Sequence, residues 1–260
     1  MKNLLFLPFL FFNLLISNAQ SAVAVTYRCI YNIDEIKEKT AILTITNSKS
    51  LFKFIPEATQ SQITSNEDND QAGDRVVSLK IRTNDSIGTR FYTDLEENVM
   101  VSRELFFQDG KTQPFIVKEQ IEKINWEIKT EQKRIGKFLC QNAIGKFRGR
   151  IYHAWFIPDI PLYLGPWKLH GLPGLVAEVF DEEKALHIQI QSITPAIVSK
   201  NSISPPSEGK EISFHDYFLM GQNLGNNFSK FIQAKLPRGA KFEVTTVTNN
   251  SLERSESSNH

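Results

Sequence analysis

The sequence predicts a mainly β protein with one helix near its C-terminus, the strands forming a curved antiparallel sheet. Three observations carry that expectation. Nine short segments between Val23 and Ile193 alternate apolar and polar residues with period two and are rich in β-branched and aromatic types. Gly, Pro, Asn, Asp or charged clusters separate them. One later stretch changes to three- and four-residue steps.

In order, the nine segments are "VAVTYRCIY", "TAILTITN", "RVVSLKIR", "TRFYTD", "NVMVSRELFF", "INWEIK", "RIYHAWFI", "LVAEVF" and "ALHIQIQSI". They read as a β-meander. Residues 56–74 are polar, with hardly an apolar side chain, and predict a mobile excursion. Residues 198–210 predict a second long loop. Across residues 213–236, Phe214, Tyr217, Phe218, Leu224, Phe228, Phe231 and Ile232 recur at helical steps behind an N-cap at Ser213. Gly221 or Gly225 should break this helix and Pro237 should end it. "AKFEVTTVT" returns to strand, and residues 249–260 form a polar tail.

The N-terminus, "MKNLLFLPFLFFNLLISNAQS", has the anatomy of a secretory signal. Lys2 supplies the positive end, an apolar core follows, and Ser17-Asn18-Ala19 form a small-x-small cleavage site. The apolar run is shorter than the roughly 20 residues of a membrane span. The predicted organisation is therefore a signal peptide over 1–19, one β-rich domain over 20–248 and a tail over 249–260. No later stretch is long and apolar enough to be a transmembrane segment, and once the signal is cleaved near Ala19 the mature chain is expected in the periplasm or at the cell surface. The signal holds one lysine and no acid, so its loss makes the 30 basic and 29 acidic residues equal in number. A neutral chain offers no long-range steering toward nucleic acid or anionic membrane. Export allows a bridge between Cys29 and Cys140, and the sequence leaves that bridge and two buried thiols as equal alternatives.

Motifs for chemistry are scarce. Counting a calcium loop from Asp68 puts Gly73 at the required sixth position, but Ala72 and Leu79 occupy ligand positions. His153, His170, His187, His215 and His260 have no zinc-ligand spacing, so no metal site is expected. A thiol hydrolase can be written with Cys140, His153 or His170, and Asp159, though no nucleophile motif supports it. No cofactor motif is present. "GPWKLHGLPG" lacks Gly-Lys-Ser/Thr, and its prolines remove amides that a phosphate would need.

That last stretch nonetheless combines rigid turns with large apolar groups. Gly165-Pro166 makes one stiff corner, and Pro173-Gly174 suits a type II turn with positive φ at the glycine. Trp167, Leu169 and Leu172 between them suit a plug over the end of a β core. The same geometry, with Trp155, would serve as a binding lip of Trp155, Trp167 and Leu172.

"GPWKLHGLPGLVAEV" resembles the signature of the GLPGLI family, also called Porph_ging, a group of exported proteins of Bacteroidetes-type bacteria. The family motif falls on Gly165, Pro166, Trp167, Leu169, Gly171, Leu172, Pro173, Gly174 and Leu175, with Val176 in place of the final Ile. The preceding run, from "INWEIK" through "IGKFLC" and "GRIYHAWFIPDIP", is similar too and puts the family's Cys, Arg and Trp on Cys140, Arg150 and Trp155. The resemblance implies export and brings no catalytic residue. More distantly, the strand pattern is similar to lipoprotein carriers, in which an antiparallel half-barrel is closed by a helix; that analogy concerns fold. Arg150, opening a strand after Gly149, is expected to tie a buried acid or loop carbonyls. The leading expectation is a non-enzymatic binding protein for an apolar small molecule, a peptide or an envelope protein. A hydrolase and a structural accessory of an outer-membrane complex are the alternatives.

Overall fold

The computed structural model describes residues 19–33, 36–55, 64–69, 75–80, 85–108, 111–199, 202–223, 230 and 252–253. The signal peptide core, the second half of the predicted helix, the "AKFEVTTVT" strand and most of the tail lie outside these residues. The chain is mainly β, with one open, curved sheet of twelve strands.

The first half of the sheet comprises β1 (Ala19–Asn32), β2 (Ile36–Ile45), β3 (Lys49–Phe54), β6 (Arg90–Asp94), β7 (Val99–Gln108) and β8 (Lys111–Gln120). Between β3 and β6, β4 (Thr64–Asn69) and β5 (Arg75–Lys80) form a separate two-stranded ladder. The second half comprises β9 (Trp126–Ile135), β10 (Phe138–Phe147), β11 (Arg150–Ile157), β12 (Leu175–Asp181) and β13 (Leu186–Ser199). Each half is a meander. They join where β1 pairs antiparallel with β13, from Ala19↔Ser199 to Tyr31↔Leu186. At the far edge, β14 (Lys210–Ser213) pairs with β8 in parallel.

Two expectations are corrected here. A single meander does not describe a sheet whose first and last long strands are neighbours and whose edge carries a parallel strand. The polar stretch 56–74 contains a strand, because Thr64–Asn69 finds a ladder partner in Arg75–Lys80.

The connectivity explains the curvature. β8 and β9 are ten strand intervals apart in the sheet order, about 48 Å in a flat sheet at about 4.8 Å per interval. Only residues 121–125 connect them, and a fully extended link of that length spans roughly 20 Å. The sheet therefore wraps until its ends approach.

Alternation then assigns the faces. Tyr27, Leu43, Phe52 and Phe91 from the first half share one apolar core with Tyr152, Ala154, Val179 and Ile188 from the second. The Tyr27 hydroxyl crosses this interior to donate to the Val176 carbonyl, at 2.7 Å. The opposite face of the first half has its own small cluster, Tyr92, Val101, Ile116 and Ile203. The chain leading into β14 covers it, pinned by Arg103. That guanidinium grips Asp85 with two bonds of 2.8 Å and donates to the Glu208 carbonyl at 2.7 Å.

The helix α1 (Phe214–Gln222) starts where the sequence places it: the Ser213 hydroxyl accepts from the Asp216 amide. Its Tyr217 ring packs edge-on against Phe106 of β7 at 6.1 Å, which puts the helix at the open end of the sheet.

Candidate functional site

The segment between β11 and β12 enters the wrapped sheet as a plug. Leu164, Trp167, Leu169 and Leu172 all belong to the common core. The Trp167 ring lies 6.0 Å from Phe147 and 6.2 Å from Tyr152. Backbone bonds close the segment on itself, Gly165 N–H to Leu169 O at 3.0 Å and Gly171 N–H to Tyr163 O at 2.7 Å. The Trp126 indole at the start of β9 donates to the His170 carbonyl at 2.8 Å, tying the plug to the sheet edge.

The glycines act differently from the expected turn. Gly174 does not carry positive φ; it is small because a Cβ would sit 2.3 Å from the Ile157 carbonyl oxygen. The left-handed positions are Gly171 (φ 87°) and Trp167 itself (φ 56°). A bulky residue with positive φ is held only by its surroundings, here two flanking rings.

The expected lip is not assembled. Trp167 and Leu172 are inside the core, whereas Trp155 is half-buried at the margin of that core, paired across the ladder with Glu178 and with the Lys133 ammonium 4.4 Å over its ring. The thiol hydrolase is not assembled either. Cys140 lies in the core, and burial raises its pKa; His153 stacks on Phe180 at 5.4 Å, His170 contacts the Lys168 carbonyl at 3.0 Å, and Asp159 is exposed. Cys29 and Cys140 are both free and buried, and burial pushes the Cys29 thiol up to about 12. Arg150 pairs with the equally buried Asp181 at 2.7 Å and reaches Glu183 at 3.2 Å. No group of potential metal ligands occurs among the described residues.

What the plug does assemble is a buried charge cluster around Lys168. Its side chain has no exposure. Its ammonium donates to Glu119 of β8 at 2.7 Å and to Glu253 at 2.5 Å, with Glu104 of β7 at 4.0 Å. Glu119 also binds Arg148 from the turn joining β10 to β11. One carboxylate thus links the two ends of the wrapped sheet and the plug. Phe214 of α1 lies over both cations, 5.2 Å from the Lys168 nitrogen and 4.0 Å from the Arg148 guanidinium.

Electrostatics limit the chemistry. Burial pulls the Lys168 ammonium down, but Glu253, Glu119 and Glu104 together outweigh it and hold its pKa above the ordinary lysine value. Such a lysine stays protonated and is no nucleophile. Burial also raises Glu104 to about 7, against the pull of Lys168. Its neighbours are Ser102, donating at 3.1 Å, and the half-buried Tyr217, whose phenol desolvation and Glu104 keep protonated. The cluster can hold an anion and take up a proton near neutral pH. Lys168, Glu104 and Glu119 are absent from the sequence-based expectations. The available signal was a lysine set between Trp167 and Leu169 in an otherwise apolar turn.

Elsewhere, a cleft of about 790 Å³ lies on the outer face between Tyr92, Val101, Ile116 and the Pro205–Pro206 stretch.

Fold and site together define a mainly β protein whose open, curved sheet is filled by its own loop and bound at one end by buried charges. No family model and no curated protein matches the sequence. Among solved structures it is similar to PNGF-II, at 13% identity and a TM-score of 0.50, over 77% of this chain and 33% of that one. The chain thus spans about a third of that protein's length. Fainter likenesses are to an uncharacterized conserved protein from Thermus thermophilus (8% identity, TM-score 0.40, 76% and 91% of the two chains) and a putative outer membrane lipoprotein-sorting protein domain from Vibrio parahaemolyticus (6%, 0.28, 68% and 85%). At such identities the likeness to PNGF-II concerns fold alone.

Proposed function

We propose that the chain is an exported member of the GLPGLI family, and that it works without catalysis by binding a peptide segment of an envelope partner. The observation that carries this reading is the filled concave face. Trp167, Leu169 and Leu172 occupy the space that a carried apolar molecule would need. Recognition then falls to the end of the sheet. There the fully buried Lys168 binds the carboxylate of a residue 85 positions away in the sequence. A protonated lysine among carboxylates suits the holding of an acidic group, and its charge state argues against nucleophilic work by Lys168 itself.

Two measurements test the reading. N-terminal sequencing of protein recovered from the periplasm or cell surface should begin at Gln20; accumulation of the full-length chain in the cytoplasm would contradict export. Native mass spectrometry and photo-crosslinking in the producing cell should show no retained lipid and a crosslinked envelope protein. Retention of a lipid-sized apolar molecule, with no crosslinked protein, would return the sheet to a carrier role.

A further inference from the structure

The tail residues Leu252 and Glu253 reach the plug from the far end of the chain. Leu252 packs against the common apolar core, and the Glu253 carboxylate sits on Lys168 at 2.5 Å with its side chain 12% exposed. An apolar side chain followed by a carboxylate therefore fills a niche whose floor is apolar and whose end is a cation.

Charge balance shows what the niche lacks without the tail. Among the described residues its cations are Lys168 and Arg148, and both lean on Glu119. Glu122 reaches Arg148 only from a half-exposed position at 3.4 Å. Glu104 stands farther off at 4.0 Å, beside Tyr217 and Tyr31, and burial favours its neutral form. Removing Glu253 leaves Lys168 to share one carboxylate with Arg148. Such a site gains from any carboxylate that arrives on an apolar stem.

We infer that the Lys168 niche is a receptor for an acidic peptide segment, an apolar residue followed by glutamate, and that Leu252–Glu253 occupy it in cis until a partner's segment displaces them. The inference rests on the binding reading above and adds to it the chemistry of the ligand and the device that closes the site. The tail acts as a competitor: it stabilises the unliganded protein and sets the affinity a partner must exceed.

The test is binding of a fluorescent peptide spanning residues 249–256 to three full-length proteins: wild type, Glu253→Gln, and Glu253→Gln with Lys168→Met. The single variant should bind at least about tenfold more tightly than wild type, because its tail no longer competes for the ammonium. A peptide carrying Gln in place of its Glu should lose at least about tenfold. The double variant should not bind. Because Lys168→Met bears on folding, a readout on the wild-type chain accompanies it: millimolar peptide carrying a paramagnetic label should broaden the ¹⁵N resonance of the Lys168 ammonium. No binding to Glu253→Gln, equal binding of the Gln peptide, or an unbroadened Lys168 resonance each overturns the inference. If these fail while the crosslinked envelope partner persists, only the ligand assignment falls; if both fail, the binding reading falls with it.

Discussion

Replacing Lys168 with methionine keeps the length of the side chain and deletes its charge. The ammonium has no exposed surface, contacts Glu119 and Glu253 directly, and has Glu104 at 4.0 Å. In Lys168→Met, Glu119 retains Arg148, but Glu253 and Glu104 lose the lysine they face. Removing one partner of a buried pair costs about 3–5 kcal/mol, mostly the penalty on the charge left behind. At about 2–4 °C per kcal/mol for a domain of this size, the melting temperature should fall by about 6–20 °C. Thermal unfolding followed by near-ultraviolet circular dichroism, which reports the packing of Trp167 and Trp126, is the assay. A fall below about 2 °C would mean that the cluster is solvated in solution and that the plug is held by apolar contact alone.

Glu104→Gln probes the same cluster through pH. The folded-state pKa of Glu104 is raised to about 7 by burial, so folding favours its protonated form. Its contribution is full below the ordinary glutamate value and is lost as pH rises from about 4.5 through about 7. The variant should therefore gain stability on wild type across that window, by about 3 kcal/mol at its top; parallel stability curves would refute the assignment. Arg150→Lys should cost about 1–3 kcal/mol in urea unfolding, since the fork binding the buried Asp181 is lost while the charge remains; an unchanged midpoint would count against it. Gly174→Ala forces a Cβ to within 2.3 Å of the Ile157 carbonyl and should cost about 1–3 kcal/mol or more, whereas a neutral effect would place the β11–β12 connection elsewhere. A thiol reagent should leave the native protein unmodified and titrate two thiols after unfolding, given that Cys29 and Cys140 are buried and free; no thiols on unfolding would reveal a bridge.

Local pattern identified the strands in which one face is consistently apolar. β1, β11 and β12 are of this kind, and the Ser213 cap of α1 was legible because its chemistry is confined to four residues. Other strands hide their alternation. β3, "KSLFKF", is bracketed by lysines; β8, "KTQPFIVKEQ", carries Pro114 and charges at both ends; in β10 the inward Gly145 is small because the Trp126 ring lies where its Cβ would be, at 2.6 Å. The β1–β13 junction joins residues more than 150 positions apart and has no local signature.

The charge cluster was hidden for a related reason. In β7 both faces carry ionic residues, Arg103 outward beneath the Glu208 segment and Glu104 inward. Alternation alone cannot say which of two adjacent charges is buried. Register does: Phe91 opposes Ser102 on the core face, and Glu104 shares that face two residues on. Lys168 was legible as a residue but not as a partner, because its carboxylates come from β7, β8 and the tail. The glycine–proline steps around it are as stiff as the sequence suggests, while their purpose is to thread a loop into a core.

Both the filled sheet and the charge cluster depend on this loop being an interior plug and not a rim. Native-state hydrogen exchange on the amides of Gly165, Leu169, Gly171 and Leu175, all bonded within the 160–175 segment, tells the two apart. A plug requires these amides to exchange only through opening of the sheet, with protection close to that of β1 and β13. Rapid exchange of the four while β1 and β13 stay protected would contradict the plug and restore a mobile lip.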